Sequence, residues 1–229
     1  MTQKYTILFD LDGTLVDTAP DLMKAHNYVM KKYGYKTKTT EEIRSLVGKG
    51  ASALIGRSLW GNAKDEFAKI EDKKIKAEMV KEFINFYGKN ICNESTLING
   101  VENFLKWCKE KKISLAVCTN KQEHLAVDLL KKIGIYNYFE YVAGSNTFDY
   151  CKPDPRHLIS IIEILSGDIN KSLMIGDSET DADAAKSASL PIILLENGYT
   201  EKNTDEIYHN HLVKDFVGIE KIVSKFLDG

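Results

Sequence analysis

The chain holds 229 residues, with 31 Lys and Arg against 33 Asp and Glu, a formal net charge of −2 and 43% hydrophobic residues. A chain of this length fits one large domain, or a core with a smaller second unit, and buries enough surface to need no disulfide staples. The near-neutral charge argues against nucleic acid or a membrane surface as main partner, no apolar run approaches the roughly 18 residues of a membrane span, and the scattered Cys92, Cys108, Cys118 and Cys151 lack zinc-ligand spacing.

Residues 5–9 form a short apolar run of strand composition that stops at Asp10-Leu11-Asp12-Gly13-Thr14. The few residues before it leave no room for a signal peptide, so a reduced, cytoplasmic setting is expected. Thr18-Ala19-Pro20-Asp21 opens a helix with proline in its first turn, ending near Tyr33-Gly34. Thr39 stands three residues before Glu42, the spacing of a capping box, and starts a second helix. Leu46-Val47-Gly48-Lys49-Gly50 breaks it, and residues 51–60 with a lysine-rich stretch over 63–90 complete a helical block.

From Gly100 onward the texture alternates. A helix is expected over 101–111, with Val101, Phe104, Leu105 and Cys108 on one face. A strand over 113–118 ends at Thr119-Asn120, and a helix over 123–133 and a short strand at 141–143 follow. The loop Lys152-Pro153-Asp154-Pro155 leads into a helix through 165; a strand over 172–175 ends at Gly176-Asp177. A helix over 181–187 and a strand at 192–195 complete the pattern. Strands alternating with helices of about 10–15 residues imply βαβ units and a parallel sheet, with the helical block inserted after the first strand.

In an open parallel sheet the loops at the carboxyl ends of the strands converge on one crevice. Asp10, Asp12, Thr119, Lys152 and Asp177, with Asp181 four residues later, all fall in such loops. Two carboxylates as close as Asp10 and Asp12 repel unless a cation or a shared proton offsets them, which suits Mg²⁺ binding and attack on phosphorus. Asp10 is the candidate nucleophile, forming an aspartyl-phosphate, and Asp12 the candidate acid and base for the leaving oxygen and then for water. Asp10 and Asp177 offer hard oxygen ligands to Mg²⁺, Thr119 a hydroxyl to a phosphoryl oxygen, and Lys152 a positive charge. Each alone has an ordinary alternative: a strand-to-loop turn for Asp10 to Gly13, a turn residue for Thr119, a solvated Lys152, helix caps for Asp177 and Asp181. Asp17 and Asp21 read as caps or charges near a helix start, and the five histidines show no ligand spacing with carboxylates.

The ordered set Asp10-Leu11-Asp12-Gly13-Thr14-Leu15-Val16-Asp17, Thr119-Asn120-Lys121, Lys152-Pro153-Asp154-Pro155 and Gly176-Asp177-Ser178-Glu179-Thr180-Asp181 resembles the haloacid dehalogenase-like hydrolase superfamily over essentially the whole chain. The resemblance implies an α/β, Rossmann-like parallel sheet core (1–17 and 93–229) with a helical cap (18–92). It also implies Asp10 as nucleophile, Asp12 as acid and base, and Mg²⁺ held by the Asp10 and Asp177 side chains and the Asp12 backbone carbonyl. Thr119 and Lys152 would bind the phosphoryl group, with Asp181 supporting Lys152 or a metal-bound water; Asn120 joins the substrate-binding set. Asp12, which dehalogenases lack, favours phosphate chemistry. Asp17-Thr18-Ala19-Pro20-Asp21-Leu22, Val47-Gly48-Lys49-Gly50 and Thr119-Asn120-Lys121 look like the phosphoglycolate phosphatase branch. The β-phosphoglucomutase branch usually has a hinge histidine where Leu22 stands. Ser189 occupies a place where relatives commonly have glycine.

The expected activity is Mg²⁺-dependent hydrolysis of a small phosphorylated metabolite, 2-phosphoglycolate or similar, by a monomer or homodimer. Rivals on the same scaffold are a pyrophosphatase, nucleotidase, sugar phosphatase or phosphomutase. A phospho-receiver signalling module is the non-enzymatic alternative, although such modules are shorter, uncapped and carry the acceptor aspartate mid-chain. Lys49, between two glycines, is either a cap contact to substrate or an exposed loop lysine.

Overall fold

A computed structural model describes residues 4–61, 70–200 and 202–228 of the chain. Its strands are β1 (Lys4–Phe9), β2 (Val16–Asp17), β3 (Thr96–Leu97), β4 (Ser114–Cys118), β5 (Tyr141–Ala143), β6 (Gly167–Gly176), β7 (Ile192–Leu195) and β8 (His211–Val213). Six of them form one sheet in the order β5-β4-β1-β6-β7-β8, every neighbouring pair parallel. β2 and β3 pair antiparallel by themselves, Val16 against Leu97 and Asp17 against Thr96.

The central strands are apolar because both faces of the sheet are covered. Alternate side chains of β1 feed different layers: Ile7 and Phe9 join one hydrophobic cluster, Leu8 the other. The helices are α1 (Ala19–Lys32), α2 (Thr40–Arg44), α3 (Ala51–Trp60), α4 (Ile70–Lys89), α5 (Val101–Glu110), α6 (Glu123–Lys132), α7 (Arg156–Ile164), α8 (Glu179–Ser187) and α9 (Glu220–Asp228). α5, α6 and α9 cover the Phe9 face, with Phe104, Leu129 and Val223 fully buried, while α7 and α8 cover the Leu8 face through Ile161 and Ala185.

The chain leaves the sheet through β2, builds α1 to α4, and returns through β3. α1 packs on α4, and α4 on α3. Pro20 sits in the first turn of α1 as expected, and the Thr39 capping box is formed: Glu42 N–H donates to Thr39 Oγ1 (3.2 Å) and Thr39 N–H to Glu42 Oε2 (2.7 Å). Part of the lysine-rich stretch expected over 63–90 lies outside the described residues; α4 accounts for the rest. Four elements have no counterpart among the expected ones. β2, β3 and β8 have two or three residues each, too few to show a period. α9 is helical by the spacing of Ile219, Val223 and Phe226, the first two buried and the third packed on the same cluster.

Candidate active site

β1 is followed to one side by β4 and β5, and the chain then crosses to β6, β7 and β8 on the other, so the strand order reverses between β1 and β6 while all strands stay parallel. Ligand crevices of open α/β sheets lie at such a reversal, outside the carboxyl ends of the strands. Asp10 follows β1 and donates its N–H to Ile175 O of β6 (3.0 Å); Asp177 follows β6, and Thr119 follows β4 with its N–H on Ala143 O (3.0 Å). Gly13 turns the chain at φ +84°, and a Cβ there would overlap Asp177 Oδ2. That approach needs glycine.

Lys152 reaches this edge from the loop before α7. Its ammonium is buried, 2.6 Å from Asp181 Oδ1 and 2.9 Å from Asp10 Oδ1. Burial opposes its charge, but Asp10 and Asp181 outweigh it and hold its pKa above the ordinary lysine value. Burial raises the Asp10 carboxyl to about 6, with Lys152 pulling against it and Asp181 and Asp12 adding to it. Asp177 is pushed well above the usual carboxylate range, by burial first and then by Asp10 and Asp181.

Among the described residues, Asp10, Asp177 and Asp181 offer ligand oxygens within 4.8 Å of one another. Three buried carboxylates against one ammonium leave an excess of negative charge on hard oxygen donors, which fits a divalent cation. Asp181 is the least available of them. Its Oδ1 takes Lys152, and its Oδ2 accepts Ser178 Oγ (2.7 Å), Ser178 N–H (3.1 Å) and Asp177 N–H (3.2 Å), forming the capping box of α8. Both sequence readings of Asp181, helix cap and Lys152 partner, therefore describe the same side chain.

Asp12 points differently from Asp10. Its carboxylate receives Lys121 Nζ on both oxygens (2.7 and 2.8 Å) and Thr18 Oγ1 on Oδ1 (2.6 Å). The Lys121 ammonium also lies 4.6 Å from the ring centroid of Tyr87, a buried residue of α4. Asp10, Asp12, Thr119, Asn120 and Lys121 line a cavity of about 250 Å³, closed on the far side by the Val47 to Gly50 loop and by Leu54, Val80, Phe83 and Tyr87. Lys49 lines that cavity, but its ammonium pairs with Glu179 of α8 at 3.2 Å. The Asn120 amide is given to two carbonyls, Gly48 O (3.1 Å) and Lys152 O (3.0 Å), tying the glycine loop to the sheet edge.

Asp17 and Asp21 stand near a helix start, as expected; Asp17 Oδ1 accepts the Ala19 N–H that opens α1 at 3.3 Å, and each also holds distant partners. Asp21 accepts Glu94 N–H, Ser95 N–H and Ser95 Oγ from the returning segment, and Asp17 pairs with Arg44 at 2.7 Å. Four residues at the site went unassigned in sequence. Thr14 donates to Asp177 Oδ1 (2.7 Å), Thr18 and Lys121 bind Asp12, and Tyr199 N–H donates to Asp177 Oδ2 (2.6 Å). Thr14, Thr18 and Lys121 lie inside the quoted motifs, but only Thr18 has a local signal, six residues from the Asp12 it binds; Thr14, Lys121 and Tyr199 meet their partners across 22 residues or more.

A doubly wound sheet with an acidic cluster where its strand order reverses, closed over by inserted helices, defines an α/β protein whose buried site fits a divalent cation. Residues 7–195 match the family of haloacid dehalogenase-like hydrolases, and the chain belongs to that family. It is 38% identical over 226 residues to a phosphoglycolate phosphatase of Agrobacterium fabrum, covering 95% of this chain and 94% of the relative. A phosphoglycolate phosphatase of Caulobacter vibrioides is 35% identical, over 94% and 89% of the two chains. The crystal structure of a predicted phosphoglycolate phosphatase from Haemophilus somnus superposes with a TM-score of 0.87 at 30% identity, over 97% of this chain and 99% of that one.

Proposed function

We propose that this protein is a Mg²⁺-assisted phosphomonoesterase that hydrolyses a small phosphorylated metabolite of the 2-phosphoglycolate type by phosphoryl transfer to Asp10. The observation that carries the reading is the buried meeting of Asp10, Lys152, Asp177 and Asp181 where the strand order reverses, with Asp10 also lining one cavity together with Asp12 and Thr119. The relatives named phosphoglycolate phosphatase, aligned over nearly the full chain, support the substrate class.

Asp10 carboxylate attacks phosphorus, and the bond from phosphorus to the ester oxygen breaks with its electron pair on that oxygen. Asp12 gives the departing oxygen a proton and then takes one from the water that attacks the aspartyl-phosphate, releasing phosphate and restoring Asp10. Thr119 and Lys152 receive phosphoryl oxygens, Lys152 being aimed by Asp181. Asp10, Asp177 and the Asp12 carbonyl would hold Mg²⁺, which offsets charge on the phosphoryl oxygens when bound. Residues 1–17 and 93–229 act as the catalytic core and 18–92 as a cap that selects the leaving group, with Asn120 and Lys49 at their meeting edge. No described helix is long and apolar enough to cross a membrane, and four unpaired cysteines suit a cytoplasmic setting.

Phosphate release from 2-phosphoglycolate and a panel of other phosphomonoesters, with and without Mg²⁺, tests the reading. Asp10→Asn should abolish turnover while the circular dichroism spectrum stays unchanged; an active Asp10→Asn enzyme would sink the mechanism.

A further inference from the structure

Tyr199 lies in the loop after β7, fully buried, and has no part in the phosphoryl-transfer scheme above. Its hydroxyl has all three hydrogen-bonding positions filled: it accepts the N–H groups of Thr18 and Ala19, each at 2.8 Å, and donates to Asp17 Oδ1 at 2.6 Å. The first N–H groups of a helix have no partner within it and are usually met by the side chain at the N-cap. Thr18 holds that place for α1 but makes no side-chain cap; its hydroxyl donates to Asp12 Oδ1 instead, at 2.6 Å. Tyr199 Oη holds the backbone N–H groups of the N-cap residue and of the first helical residue, neither of which a Thr18 side-chain cap would serve, and so fixes the backbone from which the Thr18 hydroxyl reaches Asp12.

The phenol is fixed from three other sides. Its own backbone N–H donates to Asp177 Oδ2 at 2.6 Å, and the preceding Gly198 lies where a Cβ would overlap Asp177. The Arg44 guanidinium stands 5.5 Å from its ring centroid and binds Asp17 Oδ2 at 2.7 Å. Burial and the neighbouring Asp17 keep the phenol protonated, so the donor to Asp17 is always present.

We propose that Tyr199 is a positioning residue for the proton-transfer half of the reaction: it fixes the first turn of α1, and through Thr18 it sets the Asp12 carboxylate against the leaving-group oxygen. The inference rests on the phosphatase reading and deepens it. It separates substrates by chemistry. An alkyl ester such as 2-phosphoglycolate expels an alkoxide that must be protonated as it leaves, whereas p-nitrophenyl phosphate expels a phenolate stable without a proton. A misplaced Asp12 therefore harms the first reaction more than the second.

The experiment measures kcat/KM of the full-length Mg²⁺-loaded enzyme on both esters. Tyr199→Phe removes one oxygen and keeps the backbone bond to Asp177. It should lose about ten-fold more on 2-phosphoglycolate than on p-nitrophenyl phosphate. Thr18→Val should give the same selective loss without touching Tyr199, and Tyr199→Phe added to it should deepen the selectivity by less than two-fold, as expected of residues acting in series. Arg44→Gln, which loosens the same knot from its solvent side, should shift the ratio in the same direction and serves if Tyr199→Phe does not fold. Equal losses on both esters, or a ratio unchanged in Tyr199→Phe or, failing that variant, in Arg44→Gln, overturn the proposal and reduce Tyr199 to packing. A wild-type enzyme that releases phosphate from neither ester sinks the phosphatase reading itself, and this inference with it.

Discussion

Asp181→Asn isolates the charge on which Lys152 depends. The carboxylate is fully buried and lies 2.6 Å from the Lys152 ammonium, itself buried with Asp10 as its other anionic partner. Removing one member of a buried ion pair costs about 3–5 kcal/mol, because the remaining charge is left short of compensation. Asparagine keeps the volume and an oxygen for the Ser178 and Asp177 N–H groups, and Lys152 keeps Asp10, so the lower end, about 3 kcal/mol, is expected. For a chain of this size that lowers Tm by about 6–12 °C, measured by calorimetry at neutral pH. Asp181→Ala should cost more, since it also strips the acceptor from three donors at the start of α8. The same substitution has an electrostatic signature. Asp181 raises the Asp10 pKa, so its neutralisation stabilises ionised Asp10 and moves that ionisation to lower pH. A loss below about 1 kcal/mol in Asp181→Asn, with the acid limb of turnover unmoved, would refute the claim that Asp181 sets the charge state of this cluster.

Four further outcomes follow from the site and from one loop. The folded Asp10 pKa of about 6 lies above its ordinary 3.8, so Asp10 contributes stability below about pH 4 that is lost as pH rises through 6 in metal-free protein. Mg²⁺ requires the ionised carboxylate and competes with its proton, so the acid limb of turnover should start near pH 6 at low Mg²⁺ and fall as Mg²⁺ saturates; a limb independent of Mg²⁺ removes Asp10 from the metal set. Lys49→Ala should raise KM for 2-phosphoglycolate with kcat retained if its ammonium turns from Glu179 to the substrate, and unchanged kinetics across esters would drop Lys49 from the substrate-binding set. Ser189 sits at φ +57° just after α8, so Ser189→Gly should stabilise by about 1 kcal/mol in urea unfolding, and a destabilised variant would show that the serine side chain outweighs its backbone strain.

The strand ends were legible because they combine two signals that need no neighbour. An apolar run of strand length stops at a turn residue, and in a parallel sheet every such stop faces the same edge. Asp10, Thr119 and Asp177 were found that way, and Lys152 by its motif. Lys49 and Asn120 were placed at the cavity, yet nothing local announces that Lys49 pairs with Glu179 or that the Asn120 amide binds the Gly48 carbonyl. The two-residue strands that carry the chain out to the helical insert and back were illegible for a simpler reason: Val16-Asp17 and Thr96-Leu97 are strands only because they meet.

The sequence by itself determined the alternation of strands and helices, the position of the helical insert, and which side chains reach the sheet's carboxyl edge. Those features are written in periods of two and 3.6 residues and in motifs read locally. Only the tertiary structure decided how the carboxylates are held. Thr14 meets Asp177 across 163 residues, Lys121 meets Asp12 across 109, and Tyr199 meets Thr18 across 181. Each is a buried polar contact made because a donor or acceptor removed from water must find a partner, and the fold alone determines which partner is within reach.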